Sequence, residues 1–173
     1  MKKLILLLTI SMMVNTILAQ NFYNLGTLAP KGSFAVWKVY DGDTFTILLP
    51  NHQRFNIRIN GIDAPERRQE YGMYARAYLI QLINGQRVTI IPLTIDKYGR
   101  TLATCYTSDG KDISLEMLKA GMAWHYSDYD NTTAYKEAEQ EARYCGEGIW
   151  GNGNALNPQL YRSLTRTHKP KYQ

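Results

Sequence analysis

The chain has 173 residues, of which 45% are hydrophobic and 20% are charged. This length fits one domain of ordinary size or two very small ones, and the composition supports a packed core and excludes a chain that is disordered throughout. Six prolines and 13 glycines are too few for a collagen or a low-complexity chain. Basic residues exceed acidic residues by five.

Residues 1–19 have the pattern of a secretory signal peptide. Lys2 and Lys3 precede a mostly apolar run, and Ala19 offers a small residue before a predicted cleavage at Gln20. The apolar run is too short to predict a membrane span, although an uncleaved N-terminal anchor is the alternative. We therefore expect a secreted or periplasmic protein that has no stable association with the membrane after cleavage.

The positive charge is concentrated at the carboxyl end of the chain. Residues 161–173 contain four basic residues and no acidic residue. Such a segment could attract a polyanion without specificity, or it could simply be solvated. The sequence therefore predicts four parts: a signal peptide at 1–19, an irregular lead-in at 20–33, one folded domain at 34–151 and a basic C-terminal tail at 152–173.

Alternating polarity and turn signals predict five short strands, over residues 34–40, 44–49, 54–59, 87–93 and 101–107. The third strand shows the clearest alternation. Phe55, Ile57 and Ile59 share one face, and Arg58 lies on the opposite, polar face. Arg58 is therefore expected to project from a well-anchored strand.

Apolar stripes bounded by caps and glycines predict three helices: residues 71–84, a short helix that starts at Asp112 or Ser114 and stops at Gly121, and a helix from Thr132 or Thr133 to residue 144. The first helix follows the third strand, and the strand connections are otherwise local. This order predicts an α+β protein that is mainly a β-barrel, namely a five-stranded Greek-key barrel of the OB type with three helices.

Two cysteines leave the redox state open. Cys105 lies in a strand-like run and Cys145 near a helix end. An exported protein could pair them as a disulfide, and two separate thiols are the alternative. Two cysteines and three scattered histidines offer no zinc-ligand spacing.

Two acidic motifs follow predicted strands. Asp41 and Asp43 flank a glycine between the first two strands, and Asp63 and Glu66 come directly after the third. Asp and Gly are common in ordinary turns, but carboxylates at strand ends can also gather around a hard cation such as Ca²⁺, which takes oxygen ligands.

Two arginines accompany these acids. Arg100 ends the motif Asp96-Lys97-Tyr98-Gly99-Arg100 between the fourth and fifth strands, from which its side chain could reach towards Arg58. Two guanidinium groups beside a divalent cation suit a phosphodiester, because each can hold phosphate oxygens with two hydrogen bonds and balance negative charge. Taken singly, each arginine could equally be a surface charge.

Together these motifs resemble the staphylococcal nuclease (thermonuclease) family in order and spacing. The matching segments are Asp41-Gly42-Asp43-Thr44, Arg58, Gly61-Ile62-Asp63-Ala64-Pro65-Glu66, the motif at 96–100, and residues 118–124 and 141–150, which are similar to the second and third helices of the family. The resemblance implies an OB barrel with three helices and a Ca²⁺-dependent phosphodiesterase. It further implies DNA and RNA as substrates with little sequence or sugar specificity, 3′-phosphate product ends and a monomer.

The resemblance also implies a role for each matching residue around the metal. Asp43 and Asp63 match the carboxylates that bind the metal, and Ala64 falls where the family supplies a backbone carbonyl. Asp41 matches an acid that supports the metal shell. Glu66 matches the proposed general base for the attacking water.

The remaining matches concern the substrate. Arg58 and Arg100 match the pair that clamps the phosphate. Lys97 and Tyr98 match positions that line the nucleotide pocket. Tyr126 or Tyr129 would complete that pocket, in a region where this chain departs from the family pattern.

Two other functions fit the same sequence less well. An OB barrel could bind single-stranded nucleic acid without cutting it, but this chain keeps the acids, arginines and glutamate that cleavage needs. An exported structural or adhesive domain could bind Ca²⁺ only for stability, which leaves the pairing of Arg58 with Arg100 without a purpose. Cleavage that is sensitive to a chelator distinguishes the nuclease from both.

Overall fold

The structure is a computed structural model that describes residues 27–153 and 155–167. The predicted signal peptide and most of the lead-in lie outside the described residues. No helix within the described part of the chain is both long enough and apolar enough to cross a membrane.

Seven strands are present in the described chain: β1 (Gly32–Val39), β2 (Thr44–Leu48), β3 (Arg54–Ile59), β4 (Ile62–Asp63), β5 (Arg87–Ile95), β6 (Thr101–Tyr106) and β7 (Trp124–His125). Five of them close into a barrel in the order β1-β2-β3-β6-β5. All neighbours in the barrel are antiparallel except β3 and β6, which run parallel. Closure leaves the barrel without a free sheet edge, and it confirms the predicted five-stranded OB barrel.

The barrel interior is filled by the apolar faces of the strands. In β3 the side chains of Phe55, Ile57 and Ile59 are buried, whereas Arg58 on the opposite face is only partly buried. The alternation predicted from the sequence is therefore observed, and it carries Arg58 to the outside of the barrel wall.

In the part of the chain that the structure describes, four helices and one 3₁₀ turn surround the barrel: α1 (Gly72–Ile83), α2 (Ile113–Lys119), α3 (Thr133–Cys145), the 3₁₀ turn Gly148–Trp150, and α4 (Pro158–Thr167). The first three correspond to the predicted helices. Of the two caps considered for α2, Asp112 is the one used, since its side chain accepts a hydrogen bond from the Leu115 amide at 3.2 Å.

One helix and two short strands were not expected from the sequence. The helix α4 lies within the predicted basic C-terminal tail at 152–173, for which no helix was predicted. The short strands β4 and β7 pair with each other outside the barrel, with Asp63 opposite Trp124. This pairing fixes the backbone of Asp63 immediately after β3.

The two cysteines are separate free thiols. Cys105 is buried in β6 and Cys145 is exposed at the end of α3. Burial raises the pKa of the Cys105 thiol well above its usual range, so this thiol is unreactive at neutral pH. The structure therefore favours the alternative of unpaired cysteines over a disulfide.

Candidate active site

The two predicted metal carboxylates meet at one end of the barrel. Asp43 precedes β2 and Asp63 ends β4, and only 6% and 2% of their surfaces are exposed. Asp43 Oδ2 accepts a hydrogen bond from the Ala64 amide at 2.8 Å, and Asp43 Oδ1 accepts one from the Thr44 hydroxyl at 2.9 Å. The first acidic motif is thereby tied to the second.

Arg58 bridges these two acids. Its Nη2 lies 3.2 Å from Asp43 Oδ2 and 3.0 Å from Asp63 Oδ1, and its Nη1 donates to the carbonyl of Ile59 at 2.9 Å. Arg58 is brought beside Asp43 because β2 and β3 pair with Thr44, the next residue after Asp43, opposite Arg58. One nitrogen therefore contacts both carboxylates, which must lie close to each other.

Asp41 stands behind this pair. Its Oδ1 accepts a hydrogen bond from the Asp43 amide at 3.1 Å. Burial, together with the negative charge of Asp43, raises the pKa of Asp41 to about 7. Burial also raises the pKa of Asp63, against the lowering effect of the hydrogen bond from Arg162 and of Arg58. The buried position of these carboxylates, close to one another, therefore disfavours their negatively charged forms.

The donors at this position fit a hard divalent cation. Asp43 and Asp63 offer carboxylate oxygens, which Ca²⁺ and Mg²⁺ prefer over nitrogen or sulfur. Within residues 27–153 and 155–167, no three side chains of His, Cys, Asp or Glu form a group that could hold a metal by themselves. Main-chain oxygen, as predicted for Ala64, and water would complete the coordination of such an ion.

Arg100 reaches the site through a shared hydroxyl. Its Nε lies 2.7 Å from Asp96 Oδ2, and its Nη1 donates to Thr44 Oγ1 at 3.1 Å. Since the Thr44 hydroxyl donates in turn to Asp43, Arg100 is placed one side chain away from the acids. Burial would raise the pKa of Asp96, but hydrogen bonds from the Arg100 backbone and side chain lower it overall, so Asp96 is a stable anionic anchor.

Glu66 lies at the rim of the acidic cluster, on the loop between β4 and α1. Its amide donates to Gln69 Oε1 at 3.1 Å, and its carbonyl accepts from the Gln69 amide at 2.8 Å. The Glu66 side chain is 39% exposed. A carboxylate that is fixed by its backbone and open to solvent beside buried acids is well placed to act on a water molecule.

Arg162 of α4 is a site residue that the sequence reasoning missed. Its Nη1 lies 2.9 Å from Glu66 Oε1 and 3.2 Å from Asp63 Oδ1, and its Nη2 lies 2.7 Å from Asp63 Oδ2. A signal for this helix was present, because Asn157 is a preferred cap, Pro158 a preferred first helical residue, and Leu160 and Leu164 have helical spacing. Nothing local indicated what the helix would contact.

The predicted nucleotide pocket residues Lys97 and Tyr98 lie beside Arg100. The Tyr98 ring centroid is 5.4 Å from Arg100 Cζ and 5.3 Å from Lys97 Nζ. Tyr98 is 58% exposed, so its ring face is open to a ligand. Both residues are grouped with Arg100 rather than with the acids.

The two candidate tyrosines, Tyr126 and Tyr129, form a pair with each other. The ring centroids of Tyr126 and Tyr129 are 4.7 Å apart, and the Tyr126 amide donates to the Gly61 carbonyl at 2.9 Å. Burial and the charges of Tyr129 and Asp63 raise the pKa of Tyr126. The 75% exposed Tyr129 packs on the Tyr126 ring.

Comparison with known proteins identifies the family to which this constellation belongs. Residues 56–152 match the family profile described as "Staphylococcal nuclease homologue". The matched range includes Arg58, Asp63, Glu66 and Arg100, and it begins after the turn that carries Asp43. It covers more than half of the chain.

Several relatives are similar over most of their length. A protein named "Uncharacterized endonuclease" from Haemophilus influenzae is 36% identical over 132 residues, which are 76% of this chain and 74% of that protein. A protein of the same name from Escherichia coli is 33% identical over 127 residues, or 73% of this chain and 82% of that one. "Micrococcal nuclease" from Shigella flexneri is 35% identical over 141 residues, or 76% and 80%. Because both the profile and these relatives agree with the barrel and its cluster of acids and arginines, the chain belongs to the staphylococcal nuclease family and is a nuclease that hydrolyses phosphodiester bonds.

Proposed function

We propose that this nuclease is exported and Ca²⁺-dependent, that it cleaves both DNA and RNA with little sequence or sugar specificity, and that it leaves 3′-phosphate ends. The observation that carries the proposal is the position of the Arg58 guanidinium between the buried carboxylates of Asp43 and Asp63. The arginine can bind the negatively charged phosphate, and the two carboxylates can bind a metal ion. Their contact therefore suits a phosphodiester that has a metal on one of its oxygens.

The carboxylates of Asp43 and Asp63 and the main-chain oxygen of Ala64 would hold the ion. Asp41 would support Asp43 by accepting a hydrogen bond from the Asp43 amide. When bound, a divalent cation supplies Lewis acidity to a phosphate oxygen. Ca²⁺ is the ion we favour because the family resemblance implies it, and because it accepts carboxylate, main-chain carbonyl and water oxygens in flexible geometry.

The other residues would act on the water and the phosphate. Glu66 would orient a water and take its proton during in-line attack. Arg58 and Arg100 would donate hydrogen bonds to the phosphate oxygens and stabilise the additional negative charge of the transition state. Cleavage on the 5′-oxygen side of the phosphate would leave the 3′-phosphate on the product.

Weak sequence specificity follows from the nature of these contacts. Groups that bind phosphate and metal carry no information about the base. Tyr98, and Tyr126 or Tyr129, would offer aromatic surface on which bases could stack without regard to sequence. Single strands and frayed ends should therefore be better substrates than stiff duplex.

Export and oligomeric state rest on other support. The signal-peptide pattern of residues 1–19 favours a secreted or periplasmic location. The family resemblance favours a monomer. Host-cell fractionation and gel filtration test these two statements.

The central experiment is digestion of DNA and RNA by the purified protein with Ca²⁺, with Mg²⁺ and with a chelator, followed by end-group analysis. We expect cleavage of both nucleic acids with Ca²⁺, little with Mg²⁺, none with chelator, and 3′-phosphate ends. Binding of nucleic acid without cleavage in Ca²⁺ would instead favour a binding module. Chelator-resistant cleavage would exclude the metal role of Asp43 and Asp63.

A further inference from the structure

Helix α4 inserts a positive charge where the proposed cation needs negative oxygens. The Arg162 guanidinium contacts both carboxylate oxygens of Asp63 and one oxygen of Glu66, at 2.7 to 3.2 Å. Arg58 already donates to Asp63 Oδ1. Both oxygens of this carboxylate are thus engaged by guanidinium groups.

Two guanidinium groups and a divalent cation cannot all share this carboxylate favourably. Their positive charges would lie within a few ångströms of each other at a largely buried site, where water screens the repulsion poorly. The Arg162 side chain is 30% exposed, against 11% for the Arg58 side chain, so Arg162 has the more open route to solvent. Arg162 is therefore the group that can leave.

The packing of α4 agrees with a displaceable element. Among its residues 158–165, whose exposure is described, only Pro158 is buried, and Leu160 and Leu164 are 49% and 47% exposed. Its start is capped by the Asn157 side chain, which accepts from the Gln159 amide at 2.8 Å, and it is tied to the loop before α1 by a hydrogen bond from the Gln69 side chain to the Leu156 carbonyl. A helix that is anchored at its start and lightly packed beyond can move its remainder at low cost.

We propose that Arg162 competes with the divalent cation for Asp63: it occupies Asp63 and Glu66 while no cation is bound, and it releases both, together with α4, when the cation binds. This inference rests on the proposed cation site at Asp43 and Asp63. It assigns to the C-terminal helix a function as a cover of the metal-free site. Glu66 is then free to act on water only when the metal is in place.

The test measures Ca²⁺ affinity by titration calorimetry, in the absence of nucleic acid, on the full protein freed of metal. Arg162→Gln should bind Ca²⁺ about tenfold more tightly than the unaltered protein, because the competing charge is gone. Lys119→Gln removes the same charge from the exposed end of α2 and should leave the affinity unchanged. Asp43→Asn should weaken binding strongly.

A second measurement follows α4 directly. Hydrogen exchange of the α4 amides should accelerate when Ca²⁺ is added to the unaltered protein, and it should be fast with or without Ca²⁺ in Arg162→Gln. The amides of α1 serve as the internal control.

The outcomes separate this inference from the proposed function. Equal Ca²⁺ affinity of Arg162→Gln and the unaltered protein, with weakened binding in Asp43→Asn, would overturn the competition and keep the metal site. If Ca²⁺ slows the hydrogen exchange of the α4 amides or leaves it unchanged, the competition is likewise overturned and the metal site is kept. Absence of Ca²⁺ binding, or binding that Asp43→Asn does not weaken, would overturn both.

Discussion

At the scale of single residues, the site is organised by hydrogen bonds that link its charged groups in a chain. Arg100 donates to the Thr44 hydroxyl, Thr44 donates to Asp43, and Arg58 joins Asp43 to Asp63. Each charge therefore has a fixed partner before substrate arrives. Such preorganisation is what allows phosphate-binding groups to stabilise a transition state without first having to reorganise.

Glu66→Gln should fold normally and lose most of its kcat, by about 10² to 10⁴ fold, because a positioned base is lost. Its ion pair with Arg162 involves a 39% exposed side chain, so the stability should change little. Glu70→Gln, on the exposed end of the same loop, is the matched control for charge. Steady-state kinetics and thermal unfolding check both variants, and a kcat for Glu66→Gln near that of the unaltered enzyme would remove Glu66 from the chemical step.

Asp96→Asn should reduce activity without removing any group that we place against the substrate. Asparagine can still accept the backbone hydrogen bonds of Tyr98 and Arg100 through Oδ1, but it loses the ionic contact of Oδ2 with Arg100 Nε at 2.7 Å. The turn is then kept while the guanidinium is released. Since small misplacements of a catalytic group can cost up to about 10² in rate, we expect a fall in kcat between tenfold and a hundredfold.

The comparison for Asp96→Asn is Arg100→Ala, which removes the guanidinium itself. If Asp96 acts by positioning, Asp96→Asn should be the less severe of the two, and the double variant should be no worse than Arg100→Ala alone. Additive losses in kcat would show that Asp96 has an independent role.

At the scale of elements, the loop that carries Glu66 is positioned by the start of α1. A Cβ at Gly72 would lie 1.9 Å from the carbonyl oxygen of Glu66 and 2.7 Å from its carbonyl carbon. The Gly72 amide also donates to the Gln69 carbonyl at 2.9 Å. The start of α1 therefore approaches the loop of Glu66 as closely as a residue without a side chain allows.

Gly72→Ala should push the Glu66 loop away from the acids, since the clash is with backbone that cannot rotate aside. We expect a loss of about 1–3 kcal/mol in the free energy of unfolding, and a fall in kcat that exceeds any change in KM. Gly85→Asn, at an open position with φ +70°, is the control, because asparagine tolerates the left-handed conformation. Chemical denaturation and kinetics measure the two effects, and full activity of Gly72→Ala would argue against this positioning.

At the scale of the whole molecule, the buried acidic cluster lowers the stability of the folded protein. Asp41, Asp43 and Asp63 are gathered at one end, and burial raises the pKa of two of them, Asp41 and Asp63. A ligand that neutralises them in the folded state alone must stabilise that state.

Ca²⁺ should therefore raise the melting temperature of the metal-free protein. At a concentration one hundred times Kd the gain is about 2.7 kcal/mol, which corresponds to roughly 5–10 °C for a protein of this size. Differential scanning calorimetry with Ca²⁺ and with chelator measures it, and Asp43→Asn should lose most of the shift. A shift that is the same in Asp43→Asn would place the bound ion elsewhere.

Much of this protein could be predicted from the sequence, because the signals are local. The alternation of β3 fixed which face carries Arg58, and the order of acids, arginines and turns indicated both the barrel and the nuclease chemistry. Strand and helix positions differ from the prediction by one or two residues for most elements, such as β5, which continues to Ile95. The assigned roles of the individual site residues remain predictions.

Other features were decided only by the tertiary structure. The pairing of β4 with β7 and the contact of Arg162 with Asp63 both join segments that are distant in the chain, 99 residues apart in the second case. Periodicity and caps report how a residue relates to its neighbours along the chain, so they could place Arg162 on a helix but could not show what that helix touches. Only the tertiary structure, which brings Asp63 of β4 and Arg162 of α4 into contact, makes a basic C-terminal segment part of the candidate active site.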